Sequence, residues 1–182
     1  MQRFKIIILA LSFLLSGCAQ FQGNQVNERS IPVNSNGELT RVTYKIAGNV
    51  EGKDEEFLKA VMHQHGIYLE WGVKRTDGTP HIDINLSFRR NGAATVAAVF
   101  TGASFYIIPS WQTQYYELQG HLTGPDLDYS YRVKDHTTLV QWLPMIIAFP
   151  FASPFTAESK LVMKAYTDMA YHVNYQLKTN SL

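Results

Sequence analysis

Hydrophobic residues at every second position recur in five separate segments of this 182-residue chain, and that alternation constrains its fold more than any other feature. Val42, Tyr44 and Ile46 alternate with Arg41, Thr43 and Lys45. Ile67, Leu69, Trp71 and Val73 repeat the pattern, as do Ile82, Ile84, Leu86 and Phe88. Later come Tyr116, Leu118, Gly120 and Leu122, then Tyr129, Tyr131 and Val133. Successive strand side chains point to opposite faces, so each run predicts a strand with one buried face. The turn Thr76-Asp77-Gly78-Thr79-Pro80 predicts an antiparallel hairpin between the second and third runs. Gly124-Pro125-Asp126 predicts another between the fourth and fifth.

Twice the period changes. Phe57, Leu58, Val61 and Met62 lie on one helical face, with Asp54, Glu55 and Glu56 in the first turn and Gly66 as a stop. Leu161, Val162, Ala165, Tyr166, Met169, Val173 and Leu177 mark the buried stripe of a second helix, from about Ala157 to Lys178. Ser153 or Thr156 is placed to cap it. The expected fold is α+β: one antiparallel or mixed sheet of about five strands, with two helices packed on one face.

The only cysteine is Cys18. Before it stand a basic start (Arg3, Lys5), an apolar run from Ile6 to Leu15, and the small residues Ser16 and Gly17. Ten or so apolar residues rise about 15 Å as a helix, half of a ~30 Å hydrocarbon core, which suits a cleaved export signal. Leu15-Ser16-Gly17-Cys18 resembles the lipobox of Gram-negative envelope lipoproteins. The resemblance implies cleavage of residues 1–17 and acylation of Cys18, with palmitate among the chains. Ala19, standing where inner-membrane lipoproteins commonly carry Asp, implies the periplasmic face of the outer membrane. The order of elements is also similar to that of small assembly and auxiliary lipoproteins of that membrane. With Cys18 acylated, no thiol remains for a disulfide, a metal or a nucleophile, and the fold rests on packing.

Residues 18–39 contain Gln20 to Glu38, rich in Gln, Asn, Ser and Gly, and read as a flexible lipidated tether; residues 40–182 read as the periplasmic domain. Without Arg3 and Lys5, 14 basic residues stand against 15 acidic, a balance that gives no reason to expect nucleic acid as partner.

Two stretches, Asn91 to Tyr116 and Thr137 to Ala157, carry no charge. As spanning helices they fail: Pro144 and Pro150 break the second, and the first holds Thr95, Thr101, Gly102 and Ser104 before Pro109. Two readings stay open. The stretches are ordinary core, with Ala93–Ile108 either helix or strand, or they are a surface for the membrane or a partner protein. Aromatic residues beside the apolar runs are consistent with the second, because Trp and Tyr settle at headgroup level. The candidate contacts are Phe105, Ile107, Ile108, Trp111, Trp142, Met145, Phe149, Phe151 and Phe155.

No catalytic constellation stands out. His63 and His65 are two apart on a helix and point to different faces. His81, His121, His136 and His172 are scattered, so no metal site is expected. Lys134-Asp135-His136 has no serine in an elbow context, and there is no phosphate-binding glycine loop. Arg89-Arg90 fits a solvated strand end better than a headgroup contact. The expected protein is a non-enzymatic accessory or assembly factor of the outer membrane that needs no cofactor. Its partners would be the membrane, through the anchor, and an outer-membrane or periplasmic protein. The alternative is a carrier with the apolar stretches as pocket walls.

Overall fold

A computed structural model describes residues 18–23, 26, 39–48, 52–73, 77–146 and 157–180. The expected signal, residues 1–17, and the expected helix caps Ser153 and Thr156 lie outside them. The fold is α+β. Six strands form a mixed sheet: β1 Cys18–Gln22, β2 Thr40–Gly48, β3 Ile67–Trp71, β4 His81–Arg90, β5 Ser110–Gly124 and β6 Leu127–Gln141, in the order β1-β6-β5-β4-β2-β3. Three helices, α1 Gly52–Gln64, α2 Ala93–Ala103 and α3 Ala157–Thr179, complete the described elements.

Three expectations change. Cys18–Gln22, read as the start of the tether, is a strand paired antiparallel to β6, with Cys18 opposite Gln141 and Gln22 opposite Thr137. Residues 27–38 of that stretch lie outside the described residues. The first apolar stretch begins with a helix, the third of the fold. Finally, the second and third alternating runs do not form a hairpin. Both pair parallel to β2, on its two sides, Thr40 opposite Ile67 and Thr43 opposite His81. β4 begins where β3 ends: the Gly72 N–H donates to Tyr44 O at 3.1 Å, and the Thr43 N–H to Pro80 O at 2.9 Å. The Asp77-Gly78 step, with Asp77 Oδ1 accepting from the Thr79 N–H at 3.0 Å, therefore belongs to a crossover. The β5–β6 hairpin forms as expected and is longer, with Pro125-Asp126 at its tip.

By compactness the chain divides into two units. Unit 2 comprises 24–88, 116–135 and 161–182. Its core joins Val42 and Tyr44 of β2 and Ile82, Ile84 and Leu86 of β4 to Leu58, Val61 and Met62 of α1 and to the α3 stripe. The rings of Phe57 and Tyr166 meet where the two helices touch, 6.1 Å apart. At about 1.5–3 kcal/mol for each large apolar side chain removed from water, this cluster is the main source of the unit's stability.

His65 sits in unit 2 at 1% exposure, and neither ring nitrogen has a hydrogen-bond partner among the described residues. A helix C-terminus favours a charged imidazole, but burial opposes it more strongly and lowers the pKa. The unfolded chain takes up this proton near pH 6.5, the folded chain only at lower pH. Stability from this group is thus complete above about pH 6.5 and falls as pH drops toward the folded pKa. The variant His65→Phe should match or exceed the native chain at pH 7 and surpass it increasingly at pH 6 and 5. Urea unfolding at the three pH values reads this out, and a constant difference would contradict it.

Candidate functional site

Unit 1 contains, of the described residues, 18–23, 89–115, 136–146 and 157–160. Its frame is β1 on the end of β6, fastened by Gln20 Nε2 donating to Thr137 Oγ1 at 2.8 Å and the Gly23 N–H donating to His136 O at 2.8 Å. Ser110 Oγ donates to Gln141 Oε1 at 3.2 Å and ties the start of β5 to the same strand end. Cys18 is half-buried there, and burial pushes its thiol pKa up. A raised pKa suits a residue with no thiolate chemistry to perform.

On this frame stands α2, which makes 11 residues and rises about 17 Å. No helix among the described residues is long and apolar enough to cross a membrane. Thr101 is the one fully buried residue of α2, at 0% exposure, with Ala94 and Ala98 half-buried beside it. Val96, Val99 and Phe100 face outward, Phe100 at 64%. The loop that follows exposes Phe105 (80%), Ile107 and Ile108, and β5 opens with Trp111 at 67%. Core packing is therefore not what this stretch does. After β6, Trp142 and Leu143 are exposed and Met145 is half-buried. The Leu143 N–H donates to Tyr106 O at 2.8 Å, joining the short 3-10 turn Leu143–Ile146 to the α2 loop.

The structure thus gathers Phe105, Ile107, Ile108, Trp111, Trp142 and Met145 in one unit, whereas Phe149, Phe151 and Phe155 lie outside the described residues. Sequence reasoning missed Val96, Val99 and Phe100 as surface residues. Their spacing carries the signal, since they share one helical face while Ala94, Ala98 and Thr101, at i, i+4 and i+7, supply a small-residue opposite face.

Unit 2 holds the arrangement nearest to chemistry. His121 Nδ1 lies 3.0 Å from Ser130 Oγ, and His121 Nε2 lies 3.6 Å from Asp128 Oδ1. Such a trio needs a buried acid and exclusion of water, and the Asp128 side chain is 80% exposed. It reads as cross-strand pairing on a hairpin. Glu117 nearby accepts from Gln119 and from Arg132 and Lys134 across the strands, which holds its carboxyl pKa down at about 2. A cavity of about 470 Å³ is lined by such polar groups, including Lys45, Asp83, Gln119, His121 and Arg132; a second lies among Leu86, Leu118, Leu161 and Tyr166. Neither cavity takes a residue from 93–108 or 139–152. Among the described residues no group of three His, Cys, Asp or Glu could hold a metal.

No family model and no curated protein matches this chain. Among solved structures it is similar to a minor lipoprotein from Acinetobacter baumannii, at 10% identity over 79% of this chain and 93% of that one, with a TM-score of 0.37. It is also similar to a dodecameric PelC variant from Paraburkholderia phytofirmans, at 10% identity over 84% of this chain and 98% of that one, TM-score 0.37. Values this low leave the function to be argued from the chain's own residues.

Proposed function

We propose that this protein is a lipoprotein held at the periplasmic face of the outer membrane through Cys18, and that it works by binding, as a non-enzymatic accessory or assembly factor of the envelope. One observation carries the reading: the exposed apolar side chains of α2, its loop and the start of β5 belong to the same compact unit as Cys18. An apolar patch of this kind on a water-exposed domain marks a binding surface.

Metabolic labelling with an alkyne fatty acid, combined with alkaline carbonate extraction of separated membranes, tests the anchor. The native chain should be labelled and stay in the outer-membrane fraction, and Cys18→Ser should lose the label. Label on the Cys18→Ser chain, or native protein in the inner-membrane fraction, would contradict the reading. A photo-crosslinker at Ile107 should capture an envelope protein if the patch also serves assembly.

A further inference from the structure

Helix α2 is built inside out. Its protein side is made of Ala94, Ala98 and Thr101, and its outer side carries the larger Val96, Val99 and Phe100. A helix covering a core in water turns its large apolar side chains inward; the sizes here are reversed.

The backbone carries the second argument. At the start of α2, the Ala93 N–H donates to Asn91 Oδ1 (3.1 Å), the Ala94 N–H to Asn91 O (3.2 Å) and the Thr95 N–H to Gly92 O (3.1 Å). Past its end, the N–H groups of Ser104, Phe105, Tyr106 and Ile107 donate to Phe100 O, Gly102 O, Thr101 O and Ser104 O, and that of Ile108 to Ser104 Oγ. The helical ladder takes those between, and Pro109 has none. Thr101 Oγ1 and Ser104 Oγ donate to Ala97 O and Thr101 O. An exposed segment in water has no need to pair its N–H groups internally through the following loop, because solvent supplies partners; a segment in an apolar medium does. The reversal also sets Phe105 (φ 52°) and Tyr106 (φ 62°) in the left-handed region, where glycine would be unstrained. Two aromatics are kept where they cost strain, a pattern that points to function.

Cys18 supplies the third argument and names the occupant. It pairs with Gln141, the residue before Trp142, and Leu143 is bonded to the α2 loop. Acyl chains on Cys18 leave the protein at this strand end, with no tether between anchor and sheet. From Cys18 on, the charged side chains of unit 1 are Arg89, Arg90, Glu158 and Lys160, so the sequence from Asn91 through Trp111 brings no charge to be desolvated.

We infer that α2 and the loop to Trp111 insert into the headgroup–acyl boundary of a phospholipid bilayer beside lipidated Cys18, so that unit 1 is clamped to the membrane at two points. The second point, the acyl chain, rests on the proposed lipoprotein reading; the first does not.

The test uses the chain from residue 18 with Cys18→Ser, floated with vesicles of phosphatidylethanolamine and phosphatidylglycerol. It should float without any acyl group. Replacing Val99, Phe100 and Phe105 together by Ser should weaken binding at least about tenfold, because buried apolar area sets interfacial affinity. The variant Phe105→Gly relieves the strain, so it should unfold no earlier than the parent and yet bind several-fold more weakly. Trp71→Ser, exposed in unit 2, should bind as the parent does. A parent chain that stays in the aqueous fraction, a triple variant that floats equally well, or dimerisation through the patch without flotation would overturn the inference. Fatty-acid labelling scores the anchor separately, so the two readings fail independently.

Discussion

Alanine at position 48 is expected to lower the unfolding free energy by about 2–4 kcal/mol, among the largest effects of any single methyl group added to this chain. Gly48 ends β2 with φ at +103°, a conformation that L side chains rarely adopt. A Cβ built there lies 2.0 Å from Leu86 O, a backbone atom that cannot rotate away. Gly48 pairs with Leu86 in the parallel ladder, and the Leu86 side chain is buried in the unit 2 core. Relief therefore requires a shift of β4 itself, which would disturb Ile82 and Ile84 as well. Urea unfolding followed by circular dichroism checks this; an unchanged midpoint would contradict the path of the chain at the end of β2.

Two buried tyrosines should respond with opposite sign to loss of the hydroxyl. The Tyr131 hydroxyl donates to Asp168 Oδ2 at 2.7 Å, in a buried pair where the His172 ring lies 3.8 Å from the other carboxylate oxygen. Tyr131→Phe removes one hydrogen bond to a buried carboxylate and should destabilise by about 1.5–3 kcal/mol, the worth of a hydrogen bond to a charged group. Tyr166 is fully buried and its hydroxyl has no hydrogen-bond partner among the described residues. Tyr166→Phe removes an unsatisfied polar atom and should be neutral or stabilising by up to about 1 kcal/mol. Thermal unfolding of the two variants side by side reads the difference. Equal losses would mean that the Tyr166 hydroxyl is satisfied.

Alternation located the strands because one sheet face in unit 2 is buried and the other solvated, and both helix stripes were legible for the same reason. Pairing was not. The runs at Ile67 and Ile82 carry the same pattern whether they pair with each other or with β2, and an Asp-Gly turn serves either route. Strand β1 was missed because Cys18–Gln22 is only five residues long and opens a stretch rich in Gln, Asn, Ser and Gly. It is fixed by long-range partners such as Thr137 and the Ala157 carbonyl, which accepts from Gln22 Nε2 at 2.9 Å. For the candidate surface, absence of charge and nearby aromatics marked the right stretch but not its form. Periodicity tells that α2 has two faces, and the usual rule assigns the larger apolar face to the interior. Here the smaller face, Ala94, Ala98 and Thr101, is inside.

The most direct measurement is the depth of Trp111 in the lipidated full chain, reconstituted into phospholipid vesicles with Trp71 and Trp142 replaced by Phe. Lipids brominated near the headgroup end of their acyl chains should quench Trp111 strongly and aqueous acrylamide only weakly. A Trp111 that acrylamide reaches as freely as in the vesicle-free protein, and that brominated lipids leave bright, would contradict the insertion of unit 1 into the bilayer.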